Sequence, residues 1–157
     1  MTYLFDTSSL SIILHHYYPD RFPSFWDKFA EVAKGEALFS VREGWFELQS
    51  KFEIKELKRL EKYNEYFFAK PTVEELAFIT QIYSVRNFQY NIEKKKLLNG
   101  GHVADPFIIA KANAVDGIVV TEEKFKEKAA KIPNICNHFG IECTNLESFL
   151  LKEDWRF

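Results

Sequence analysis

Short unbroken apolar runs recur along the chain, separated by stretches whose apolar residues fall at helical spacing. TYLF at the start is aromatic, apolar and without alternation, as a strand buried on both faces would be. ALFSV (37–41), GIVV (117–120) and IECTNL (141–146) predict three more strands. Between the first two, Pro19 and Pro23 mark a loop, and Phe25, Trp26, Phe29 and Val32 then fall at near-helical spacing up to Gly35. Helical patterns follow over 42–52 and 54–68, and Pro71 interrupts them. Thr72 and Glu75 fit a capping box for a helix whose apolar face is Leu76, Ile79, Ile82 and Tyr83. The stretch 87–101 fits either a basic helix or an ordered loop ending in Asn99-Gly100-Gly101. A helix over about 103–114 has Ala104, Ala110, Ala112 and Ala114 for close approach, a short helix is expected over 122–130, and a terminal helix follows the last strand.

Strands alternating with helices argue for an α/β fold, a three-layer α/β/α sandwich with a mainly parallel central sheet. With 157 residues and no Gly-, Pro- or Ser-rich linker or internal repeat, the chain reads as a single domain, 1–157. The apolar fraction of 46% and the 16 Phe supply a substantial core. A formal charge of -2 argues against a protein that coats nucleic acid or wraps a polyanion, though an enzyme needs only a local positive rim. Cys136 and Cys143 lack a CxxC spacing or a nearby His cluster, so two free thiols in a reducing compartment are expected. With no leader and no apolar stretch of membrane-spanning length, the expected location is cytoplasmic, away from membranes.

Four acids stand where strands end and helices begin. Asp6 closes YLF, Glu47 lies just past ALFSV, Asp105 opens PFIIAKANA, and Glu123 follows IVVT. In an open α/β sheet these junctions share one rim, so the carboxylates could converge despite their separation in sequence. Like charges gathered there call for hard cations, Mg²⁺ or Mn²⁺, which take oxygen ligands. A metal-bound water could then attack a phosphodiester. Each acid also has a plainer reading. Asp6 could cap the next helix, and Asp105 before Pro106 fits a cap followed by N1, or a first-turn carboxylate if the helix begins earlier. Glu43 and Glu47 share a helical face that could simply be solvated, and Glu123 could serve a helix dipole. Thr7, Ser8 and Thr121 could orient the carboxylates, and His102 could face the same rim.

YLFDTSSL, SVREGWFEL and ADPFIIAKANAVDGIVVTEEKF together resemble the PIN-domain superfamily. More narrowly, FPSFWDKF and KIPNICNHFGIECTNLESFL resemble a family of uncharacterised PIN-like proteins related to the ribonuclease toxins of type II toxin–antitoxin systems. The resemblance implies a metal-dependent endoribonuclease with Asp6, Glu47, Asp105 and Glu123 as metal and catalytic residues. It also implies an RNA substrate, a homodimer and a small antitoxin-like partner. Two departures stand out. Glu123 replaces the usual aspartate after Thr-x, and Glu43, one turn before Glu47, offers a competing carboxylate. The alternative is a catalytically weak PIN-like module that binds nucleic acid or protein.

Phosphate contacts would come from Lys94–Lys96 and from Lys124, Lys126, Lys128 and Lys131, which flank the rim in sequence, with Arg21 and Lys28 further off. Phe22, Phe25, Trp26 and Phe29 could line a partner groove or simply pack between helix and sheet. Tyr63, Tyr66, Phe67 and Phe68 fall in the region that carries the dimerising hairpin of the related toxins. A phosphoaspartyl phosphatase would need an acid at position 8, which is Ser, and no Gly-rich phosphate loop with a Lys is present.

Overall fold

The structure, a computed structural model, describes residues 1–98, 101 and 103–157. Asn99, Gly100 and His102, and the Lys94 side chain, lie outside the described residues. Five parallel strands form the sheet: β1 (Tyr3–Phe5), β2 (Leu38–Val41), β3 (Phe68–Ala69), β4 (Ile118–Val120) and β5 (Cys143–Thr144). Their order is β3-β2-β1-β4-β5, with Leu4 opposite Phe39 on one side and Val119 on the other. The chain therefore winds outward from β1 twice, in opposite directions. The connections α1 (Thr7–His16), α2 (Pro23–Lys34), α3 (Arg42–Lys51), α4 (Ile54–Glu61) and α5 (Asn64–Phe67) lead from β1 to β3. The return runs through α6 (Val73–Ser84), α7 (Arg86–Leu98) and α8 (Asp105–Val115) to β4, then α9 (Ile132–Phe139) to β5 and α10 (Leu146–Lys152).

Strand side chains alternate between two cores, which makes the three layers. Tyr3, Phe5, Ile118 and Val120 pack with Leu10, Ile13, Phe25, Phe29, Leu48 and Phe149 on the face of α1–α5 and α10. Leu4 and Val119 pack with Ile82, Ile108, Ile109, Ala112 and Ile135 on the face of α6–α9. At the entry to β4, Gly117 lies close against β1: a Cβ there would stand 2.5 Å from Leu4 Cδ2 and 3.2 Å from the Thr2 carbonyl oxygen. The predicted capping box starts α6: Thr72 N–H donates to Glu75 Oε2 at 2.7 Å, and Glu75 N–H to Thr72 Oγ1 at 3.2 Å. A buried ion pair from Lys111 on α8 to the same Glu75 ties these two helices together.

The structure corrects several expectations. The single helix over 54–68 is α4 and α5 followed by β3, a two-residue strand defined only by pairing Ser40 with Phe68 and Val41 with Ala69. A strand that short leaves no periodic trace in sequence. The ambiguous stretch after Asn87 is helix α7, as far as Leu98. No helix forms over 122–130. There the Asn134 side chain holds Lys126 by its backbone N–H and C=O (3.4 and 2.7 Å), and Lys128 takes φ 62°. Side-chain bonds to the backbone thus hold an irregular path against helix formation.

Phe25, Trp26 and Phe29 are core residues, so they form no exposed groove. Of the later aromatic stripe, Tyr63, Phe67 and Phe68 are buried within the chain and only Tyr66 is exposed. Trp155 packs edge-on against Phe149 at 5.1 Å between centroids and anchors the C-terminal turn. Cys136 and Cys143 are both free thiols. Among the described residues no helix is long and apolar enough to cross a membrane.

Candidate metal centre

In a sheet that winds outward both ways from β1, the crevice between the carboxyl ends of β1 and β4 is the topological switch point, where α/β proteins bind ligands. Asp6 leaves β1 there and Thr121 leaves β4. Asp6 is the N-cap of α1, its Oδ1 accepting from Ser9 N–H at 2.8 Å. It is more than a cap, because Ser8 Oγ donates to it at 2.8 Å and Thr121 Oγ1 donates to Oδ2 at 2.5 Å. Burial pushes the Asp6 carboxyl above the ordinary range, against the lowering effect of the bonds from Thr121, Ser9 and Ser8.

Glu47, on the second turn of α3, is 3% exposed and is not on a solvated face. Its Oε1 accepts from Ala104 N–H at 2.5 Å, which ties α3 to the start of α8. Ala104 is the N-cap of that helix, so Asp105 is its first residue and Pro106 its second. Asp105 is thus a first-turn carboxylate, favoured by the helix dipole. Burial nevertheless pushes it up to about 7, with Lys95 opposing and Glu123 and Asp6 adding repulsion.

Glu123 lies in the irregular loop after β4, and its two oxygens do different things. Oε2 accepts from Ile132 N–H at 2.9 Å at the start of α9, while Oε1 faces the Lys95 ammonium. The side-chain length that distinguishes Glu from Asp reaches both partners.

Lys95, expected with Lys94 and Lys96 as one of several phosphate contacts flanking the rim, instead sits in the cleft wall itself. On α7 its ammonium pairs with both Asp105 and Glu123. Burial lowers the pKa of this group, yet the pull of Asp105 and Glu123 outweighs it and holds the ammonium above the ordinary lysine value. A basic face on one helix carries no mark of which lysine turns inward.

A cleft of about 180 Å³ is lined by Asp6, Thr7, Ser8, Glu47, Lys51, Lys95, Asp105 and Glu123. It joins four of the five expected carboxylates. Glu43 is buried but is not among the lining residues. Its Oε1 pairs with Arg42 at 2.8 Å, and its Oε2 has no hydrogen-bond partner in the protein. Thr7 Oγ1 is also buried without a partner, and it belongs to the cleft wall. Lys124, Lys126 and Lys128 are exposed on the loop beyond Glu123 and Lys131 is half-buried beside them, as a phosphate-attracting margin would require.

The donor set is all hard oxygen, which suits Mg²⁺ or Mn²⁺. The hydroxyl of Thr7 adds a buried polar group that the protein itself leaves unsatisfied. Among the described residues no three His, Cys, Asp or Glu side chains are gathered tightly enough to hold an ion as they stand. An entering ion would share the cleft with the Lys95 ammonium.

Fold and cleft define an α/β protein with a carboxylate-lined switch-point site. The chain belongs to the family described as a domain of unknown function, DUF4411, whose model matches residues 3–157. Neither the curated proteins nor the solved structures give a match.

Proposed function

We propose that this protein is a divalent-metal-dependent endoribonuclease of the PIN-like kind, the toxin component of a toxin–antitoxin pair. One observation carries the reading: carboxylates from β1, α3, α8 and the β4 exit, far apart in sequence, line a single cleft at the switch point. Asp6, Glu47 and Asp105 would hold Mg²⁺ or Mn²⁺, with Glu123 at the edge. When bound, the ion supplies an activated water and neutralises charge on the phosphate. The chain's own part is positioning. Ser8 and Thr121 fix Asp6, and Ala104 N–H fixes Glu47. The lysines beyond Glu123 draw the RNA backbone toward the cleft. The preference for RNA over DNA, the homodimer and the antitoxin-like partner rest on the PIN-like resemblance.

Incubating purified protein with total cellular RNA and Mn²⁺, beside Asp6→Asn and Asp105→Asn, tests the activity. Cleavage by the native protein alone is the expected result. Equal cleavage by all three would expose a contaminant. Cleavage by none would favour the binding-module reading, which the Lys95 ion pairs in the cleft also support. Co-purification of the tagged protein from its host tests the partner. A lone monomer that is harmless when overproduced would turn the reading toward a housekeeping nuclease or an inert PIN-like module.

A further inference from the structure

We infer that the cleft is built for one divalent ion, with the Lys95 ammonium standing in the place a second ion would take. This rests on the reading above that the cleft binds a divalent metal. Two-metal phosphodiesterases hold their ions roughly 3.5–4 Å apart and need carboxylates free to face both. Here Asp105 and Glu123 share one ammonium, and Glu123 has its other oxygen committed to Ile132 N–H at 2.9 Å. Turning that oxygen to a metal would strip the start of α9 of its acceptor. Asp6, Glu47, Thr7 and the near side of Asp105 remain for an ion.

Formal charge agrees. The cleft wall holds four carboxylates (Asp6, Glu47, Asp105, Glu123) against two lysines (Lys51, Lys95), and -4 plus 2 leaves -2. One divalent ion cancels this, and a second would leave the loaded, substrate-free site at +2. Thr7, its hydroxyl buried without a partner in the same wall, marks an unfilled polar position independent of the acids. In the loaded site Lys95 faces a phosphate oxygen and neutralises charge that a second metal would otherwise carry.

Titration of the full chain with Mn²⁺, followed by calorimetry and by the spin resonance of free Mn²⁺, decides the matter. Native protein should bind one ion per chain. Lys95→Met should bind its first ion at least about tenfold tighter, because a like charge has left the cleft. At saturating Mn²⁺ the same variant should cleave RNA about 100-fold more slowly, the scale of losing one charge-stabilising donor. Lys95→Arg keeps the charge and should keep the count of one ion, which separates charge from misfolding. Two ions per native chain, or none, overturns the inference. So does unchanged affinity in Lys95→Met. Cleavage by Lys95→Met as fast as native overturns it too, since Lys95 would then be a plug that leaves rather than a stand-in for the second ion. If the native protein cleaves no RNA, the nuclease reading fails, while ion count and affinity still decide the role of Lys95.

Discussion

Replacing Asp6 by Asn separates its two jobs, capping a helix and holding charge in the cleft. Asn caps about as well as Asp, so α1 should keep its start, whereas Asp6→Ala should lose about 1 kcal/mol of capping. Ala would also leave the Ser8 and Thr121 hydroxyls without their acceptor, at roughly 1–3 kcal/mol for a buried group. Because burial already penalises the charged carboxylate, metal-free Asp6→Asn should melt no lower than the native protein. Metal reverses the ranking. At Mn²⁺ a hundredfold above its Kd, the native state gains about 2.7 kcal/mol. For a chain of 157 residues this corresponds to a melting shift of roughly 5–10 °C. The variant should shift by less than about 2 °C on the same scale. Thermal melts in chelator and in Mn²⁺ read both numbers. Equal metal-induced shifts in the two proteins would refute Asp6 as a ligand, and a metal-free Asp6→Asn that melts well below native would refute the burial argument.

Other outcomes follow from the same geometry. Glu47→Gln should abolish the Mn²⁺-dependent rise in melting temperature, while Glu43→Gln, outside the cleft wall, should leave it intact; the reverse pattern would exchange their roles. Asp105 is raised to about 7 in the folded chain from near 3.9 when unfolded, so the folded state holds the extra proton between those values. Metal-free stability from this group is therefore present below about pH 4 and lost as pH rises through about 7. Melts across that range should show a fall that Asp105→Asn flattens, and an identical profile in the variant would contradict the assignment. Lys111→Met strands the buried Glu75 carboxylate and should cost about 3–5 kcal/mol in urea unfolding. Adding Glu75→Gln should recover part of that loss, and a single variant within about 1 kcal/mol of native would show that the pair carries little.

The sequence by itself determined the layers and the acids. Apolar runs such as YLF and IVV can be satisfied only by burial on both faces, and the helical periods between them force crossovers, so a parallel sheet with helices on both sides was legible. The junction positions of Asp6, Glu47, Asp105 and Glu123 were legible for the same reason, since strand exits in a parallel sheet share one rim. Tertiary structure alone decided the rest. Strand β3 exists because β2 offers it backbone partners, and the loop after β4 avoids helix because Glu123 and Asn134 bind the backbone around it. Glu43 and Glu47 are equivalent on a helical wheel; the bond from Ala104, 57 positions beyond Glu47, distinguishes them. Lys95 looks like its neighbours on a basic helix, and only the packing of α7 on α6 turns its ammonium between two carboxylates. Periodicity records which face of an element is buried. It does not record which charge on that element meets another from a distant part of the chain, because such a contact depends on how separate elements pack.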